Sequence, residues 1–286
     1  MNRILFYIWV LVSLLSVSSC IKEDLEECPA QFTVKVFIED KQYINISEIP
    51  QLSRKDETLP FRDFVGTIHY SLHNLLTGEV ADSSSFTPVI DDAQFYTIAF
   101  NDIPDGRYEL TIWGNVTQDT DPRILHANGS EQTDLYMATS TLDFTSGFQT
   151  TDVMMKRAKA DLLLVCNNFP SDFTHVEEKV SSVYQSVDPH FVYAGNTGVV
   201  KTASLLPVNQ FFLAPTVTGT NSKVNLRFFN PNNTDKNSAI EFPEFNVTLS
   251  RNKISVISVD YSPETTSWEI WTFINGEWTL IHHLDI

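Results

Sequence analysis

The chain has 286 residues and a formal net charge of −17, from 36 acidic and 19 basic residues. That length suits two domains of roughly 100–150 residues each. So acidic a body has no basic stripe to offset phosphate repulsion, which argues against nucleic acid as a partner and against peripheral adhesion to anionic lipid.

Arg3 opens an apolar run from Ile4 to Val17 that breaks into Val17-Ser18-Ser19-Cys20 and then Ile21-Lys22-Glu23-Asp24. The run fits the core of a secretory signal and falls short of the ~20 apolar residues a spanning helix requires. Small Ser18 and Ser19 suit a signal peptidase cutting before Cys20, whose thiol can take a diacylglyceryl group. Residues 1–19 therefore read as a signal peptide, and the mature chain starts at Cys20 with diacylglycerol and an N-acyl chain attached. No other cofactor is expected. One acyl chain binds a membrane reversibly, whereas two or three make the tether effectively permanent.

Residues 20–30 form an acidic leader. With Cys20 committed to lipid, Cys28 and Cys166 are left as the other cysteines of a secreted chain, and two readings stand: a disulfide between them, or two separate thiols. Phe32, Val34, Val36 and Ile38 then alternate with Thr33, Lys35 and Glu39, the pattern of a half-buried strand. Residues 41–63, with Pro50, Pro60 and the run Ser53-Arg54-Lys55-Asp56, read as a long exposed connection open to proteases. A cut after Arg54 would on that reading part the body from its lipid.

Strand signals resume at Gly66, Ile68, Tyr70 and Leu72, and again at Tyr96, Ile98 and Phe100. Pro104-Asp105-Gly106 is a turn expected to reverse the chain into Tyr108, Leu110 and Ile112. After a polar loop, the basic cluster Lys156, Arg157 and Lys159 precedes the apolar run Ala160 to Cys166, and the domain boundary is placed near Ala158. This gives an N-terminal domain over 31–157 and a C-terminal domain over 158–286. In the second half Val224, Leu226 and Phe228 alternate, as do Phe245, Val247 and Leu249, and a last strand-rich stretch runs from Trp268 to Ile286. Val176, Val180 and Val183 have helical spacing after Ser171 or Asp172, so one short helix is allowed there. The fold class is all-β, with β-sandwiches.

Signatures of catalysis are missing from the sequence: no Gly-x-Ser-x-Gly, no His-Glu-x-x-His and no phosphate-binding glycine loop occurs. His69 and His73 fall on a strand pattern that holds them roughly 13 Å apart, too far to share a metal. Asp119-Thr120-Asp121 matches the start of a calcium loop but lacks its glycine and distant glutamate. No catalytic or metal residue is assigned, and the chain is expected not to be an enzyme. Trp268, Trp271 and Trp278 are either sandwich core or, less simply, an aromatic platform for sugars.

The leader Cys20 to Pro29, with its lipobox cysteine, acidic stretch and Cys28-Pro29, resembles the fimbrillin-A associated anchor family of Bacteroidales lipoproteins. Ile103 to Tyr108 leading into Ile112-Trp113-Gly114-Asn115 is similar to that family's first-domain hairpin. Leu249 to Asn252 and Ile274 to Trp278 resemble its second domain. The resemblance implies two tandem transthyretin-like β-sandwiches and a structural role as the anchor or an accessory subunit of a surface fimbria, joined to a shaft subunit by strand exchange. It also implies adhesion to host or bacterial surface ligands through the pilus. Lys22, Glu23 and Asp24 resemble the signal that sends such lipoproteins to the outer face of the outer membrane. Within this frame the C-terminal stretch is read as a donor strand, with Leu280, Leu284 and Ile286 on one face and His282 between them, or else as an ordinary core strand of an anchor that accepts a strand instead. The alternative is a glycan-binding surface lipoprotein of a polysaccharide uptake system.

Overall fold

The computed structural model describes residues 31–117, 121–145, 147–230, 239–274 and 276–285. The signal peptide, Cys20, Lys22, Glu23, Asp24, Cys28, Asp119 and Ile286 lie outside the described residues.

The first half supplies eight strands: β1 (Gln31–Ile38), β2 (Thr67–Asn74), β3 (Val80–Ser83), β4 (Thr87–Pro88), β5 (Tyr96–Asn101), β6 (Gly106–Gly114), β7 (Tyr136–Phe144) and β8 (Phe148–Arg157). They are ordered β3-β2-β6-β7-β8-β1-β5, with β4 beside β2. Because β7 and β8 pair only at Tyr136↔Arg157 and Met137↔Lys156, the sheet folds at that corner into two layers, β3-β2-β6-β7 and β8-β1-β5. Between them lies a core in which Phe144 packs on Phe32 at 4.8 Å and on Tyr108 at 5.0 Å. β1 is central. It runs parallel to β8 over eight paired residues and antiparallel to β5 over six, and Phe32, Val34, Val36 and Ile38 are all buried.

The second half continues with β9 (Ala160–Asn167), β10 (His175–Val183), β11 (Ser186–Val187), β12 (Tyr193–Ala194), β13 (Thr197–Ser204), β14 (Val208–Leu213), β15 (Ser222–Phe229), β16 (Ala239–Glu241), β17 (Phe245–Val247), β18 (Ile254–Ser262), β19 (Ser267–Ile274) and β20 (Glu277–Asp285). One layer is β13-β10-β15 with β16 and β17 on its edge, and the other is β14-β9-β18-β19-β20. β9 repeats the role of β1: it lies between an antiparallel partner, β14, and a parallel one, β18. The two halves thus share one strand order, and the hairpin β19–β20 is an addition to the second. The protein is all-β, built of two β-sandwiches as the resemblance implied.

Four expectations need correction. The segment with helical valine spacing is strand β10: Val176, Glu178 and Val180 point inward at period two, and a bulge before Val183, with Ser182 at φ 59°, returns Val183 to the same face. A bulge therefore imitated a helix. The Pro104-Asp105-Gly106 turn joins strands of opposite layers, because β5 pairs with β1 and β6 with β2 and β7. It is a corner, fastened by the Tyr108 hydroxyl donating to the Pro104 carbonyl at 2.9 Å.

The connection after β1 is not exposed throughout. Tyr43, Ile46 and Ile49 are buried against Leu163, Val165, Ile254, Val256 and Phe273 on the outer face of the second sandwich. That cover explains why β9 is apolar on both faces. Ser53 to Thr58 is the connection's one continuous exposed run of six residues. The register of β20 also departs from the alternation expected of it.

Candidate interaction surfaces

The chain crosses between the sandwiches through Ala158 and Lys159, both fully buried. Arg157, the last residue of β8, organises the crossing. Its Nε donates to Asp134 Oδ2 at 2.8 Å, Nη1 donates to Asn252 Oδ1 at 2.6 Å and Nη2 donates to the Tyr136 hydroxyl, while the guanidinium lies 3.9 Å from the Tyr43 ring centroid. Burial opposes the charge, but Asp134, Tyr43 and Tyr136 hold the guanidinium firmly protonated. Asp40 accepts from the Arg157 backbone N–H at 2.9 Å and from Arg251 Nη1 at 3.0 Å, which links the first sandwich to the β17–β18 turn. The basic cluster before the apolar run was visible in the sequence. Its inward-facing role was not, because its acidic partners lie on other loops.

Further ionisable groups are buried in the second sandwich. Lys159 donates to the Gln132 carbonyl at 3.0 Å, and burial lowers its ammonium to about 7. Asp161 accepts from Gln210 Nε2 at 2.6 Å, and burial raises it to about 7. Glu178 is fully enclosed, neither of its oxygens has a hydrogen-bond partner among the described residues, and burial raises it to about 8. Cys166 is buried and bonded to no described cysteine; burial pushes its thiol up.

Two surfaces have the geometry for a partner strand. The first is β20, which among the described residues is bonded only to β19 and presents a free edge. A bulge at Ile281 of β20, opposite Ile270 and Trp271 of β19, displaces the register, so that Leu284 faces Trp268 and His282 faces Ile270, while Leu280 faces Trp271 and Trp278 faces Phe273. Leu280 and Leu284 therefore lie on opposite faces, which corrects the expectation that they share one: the bulge at Ile281 breaks the alternation. Ile281 and Leu284 pack on the core, His282 is edge-on to Phe245 at 6.2 Å, and Trp278 and Leu280 remain exposed.

The second surface is a cleft of about 530 Å³ where β7 and β8 diverge below their two paired residues. Ala138, Thr139, Ser140, Asp152, Val153 and Met154 line it. The loop 189–191 of the second sandwich closes one end, where Thr139 Oγ1 donates to the Pro189 carbonyl at 2.7 Å.

The tryptophans separate. Trp268 is core, 4.6 Å from Tyr261 and 4.8 Å from Phe169, whereas Trp271 and Trp278 lie on the opposite face of the hairpin. His69 and His73 both lie on β2, and no group of three metal-binding side chains occurs among the described residues.

Strand order and edges define a two-sandwich all-β protein with a buried ionic joint and, among the described residues, free strand edges. No protein-family model and no curated protein sequence matches the chain. Among solved structures it is similar to a candidate adhesin of Bacteroides thetaiotaomicron (12% identity, 91% of this chain and 100% of that one, TM-score 0.55). It is also similar to a candidate polysaccharide-binding protein of the same organism (11% identity, 90% and 99%, TM-score 0.55). The fimbrial anchor protein Mfa2 of Porphyromonas gingivalis matches at 13% identity over 90% of this chain and 100% of that one, with a TM-score of 0.49. At such identities the shared property is the fold.

Proposed function

We propose that the chain is a non-enzymatic structural subunit of a surface fimbria, its anchor or an accessory subunit. Acyl chains on Cys20 tether it to the outer membrane, Lys22, Glu23 and Asp24 direct it to the cell surface, and strand exchange joins it to the shaft in support of adhesion. The observation that carries this reading is the difference between the two terminal strands. β1 is buried at the centre of its sheet with partners on both sides, whereas β20 is an added edge with Glu277 to Leu280 exposed. A strand of the second kind can leave and pair elsewhere while giving up the partly buried contacts of Ile281, His282 and Leu284 and no fully buried side chain of its own, which suits a donor. The fold shared with the candidate adhesin supports the same reading.

A glycan-binding role is less well supported, because the three C-terminal tryptophans do not form one platform. The test is deletion of Thr279 to Ile286 in cells that assemble the fimbria. Shaft protein shed into the medium is the expected result. A variant that folds normally and retains its pilus excludes the donor role and directs attention to the cleft between β7 and β8 as an acceptor. For the tether, Cys20→Ala is expected to leave a folded protein lost from the membrane fraction.

A further inference from the structure

The first sandwich has two poles. One abuts the second sandwich through Arg157, bonded to Asn252, and Asp40, bonded to Arg251; the other gathers the β2–β3, β5–β6 and β7–β8 turns and the start of β1. The pairs Asn74↔Tyr108, Gly106↔Phe144, Gln31↔Asn101 and Gln31↔Phe148 all lie there, as do the bonds from the Leu75 N–H to the Arg107 carbonyl (2.9 Å) and from the Gln31 N–H to the Gly147 carbonyl (3.1 Å).

Three large apolar side chains project from this far pole: Leu75 is 50% exposed, Leu76 93% and Phe148 86%. The leucines are held out by a built turn. Asn74 Oδ1 accepts from the N–H groups of Leu76 (2.8 Å) and Thr77 (3.1 Å), the Asn74 carbonyl accepts from the Gly78 N–H at 2.8 Å, and Gly78 adopts the left-handed φ of 74° that closes it. Exposed apolar groups gathered at one place on an otherwise acidic surface mark a contact.

We infer that this pole rests on the bilayer to which Cys20 is tethered, with Leu75, Leu76 and Phe148 seated among the lipids. The inference rests on the lipoprotein reading above. Two observations select a bilayer over other occupants. The chain enters the first sandwich at this pole, and the ten residues from Ile21 to Ala30 reach at most about 36 Å fully extended, so the tether holds the pole near the membrane. The second sandwich, with the free edge of β20, is at the opposite end and faces away. The exposed charges beside the turns, Glu79, Asp102, Asp105 and Asp143, with Arg107 the one opposing charge among the described residues there, favour a zwitterionic over an anionic lipid surface. Shallow insertion of apolar loop tips needs no spanning segment, and among the described residues no helix is long and apolar enough to cross a membrane.

The test separates contact from lipidation. Residues 21–286 with an N-terminal hexahistidine tag are bound to phosphatidylcholine vesicles containing a nickel-chelating lipid. In a Cys28→Ser background an environment-sensitive dye is placed at Leu76→Cys, at Phe148→Cys or, as control, at Leu206→Cys, an exposed position of the second sandwich. Spin-labelled lipid is expected to quench the dye at 76 and 148 at least about twofold more than at 206, and Leu75→Ser/Leu76→Ser is expected to reduce quenching at 148. Equal quenching at the three sites overturns the proposal. So does a dye at 76 or 148 that is already shielded without vesicles and unquenched with them, since another part of the chain then covers the pole. Mass spectrometry of Cys20 in the native protein decides the lipid tether independently.

Discussion

The side-chain amide of Asn45 pairs with both backbone groups of Ile254: Nδ2 donates to the carbonyl at 2.8 Å and Oδ1 accepts the N–H at 2.9 Å. A residue from the connection after β1 thus completes the hydrogen bonding at the start of β18, and Tyr43, Ile46 and Ile49 bury themselves alongside. Asn45→Ala leaves both Ile254 groups without this partner and is expected to cost about 1–3 kcal/mol, read from the midpoint of denaturant unfolding. An unchanged midpoint would show that the clamp contributes nothing.

That clamp alters the expected effect of proteolysis. Arg54 and Lys55 are exposed, but the residues before them are held by β1 and by the buried segment. A trypsin nick there is expected to give two fragments that elute together in native gel filtration and separate in denaturant. Release of the N-terminal fragment without denaturant would contradict this and restore the view that a cut parts the body from its lipid.

Arg157 is a buried cation whose removal strands Asp134. Arg157→Ala is expected to lose about 3–5 kcal/mol, the range for breaking a buried ion pair by deleting one partner. Replacing both, as Arg157→Met with Asp134→Asn, is expected to recover part of the loss, because no uncompensated charge then remains. A double variant no better than the single one would rule out the charge as the cause.

Glu178 predicts a pH dependence with a definite sign. Burial raises it from an ordinary 4.5 to about 8, so between those values the folded chain holds a proton that the unfolded chain releases. Its contribution is complete below about pH 4.5 and is lost as pH rises through about 8, a change on the order of a few kcal/mol. Asp161 acts in the same direction up to about 7, while Lys159, lowered to about 7 from 10.5, acts oppositely above it. The clean measurement is therefore a difference: Glu178→Gln relative to the parent should become progressively more stable between pH 5 and pH 9. A difference that does not vary with pH would refute the assignment.

The second sandwich depends on the first. Trp113, Val116, Leu125, Leu135 and Met137 belong to its core cluster, and His126 Nε2 accepts the Ala214 N–H at 2.8 Å. With each large apolar side chain contributing about 1.5–3 kcal/mol on burial, residues 158–286 alone are expected to show no cooperative unfolding. Calorimetry on that fragment checks this, and a sharp transition at the midpoint of residues 31–286 would show that the half is self-sufficient.

Strand periodicity gave away much of the fold, because a strand with one face in the core writes its burial at period two: Phe32 to Ile38, Val224 to Phe228 and Phe245 to Val247 all lie as their alternation predicts. The chain also declared its all-β class. Four things lay beyond it, for a common reason. The covering of β9 by Tyr43 to Ile49, the crossing of Pro104 to Gly106 between layers, the strand at Val176 and the splitting of Leu280 from Leu284 each turn on a pairing partner or a bulge, and a side chain's face is fixed only once its neighbours' register is known. The joint at Arg157 is the same case in charges: the cation was in plain view, but Asp134 and Asn252 meet it only when two sandwiches close, and that meeting is a product of tertiary packing alone.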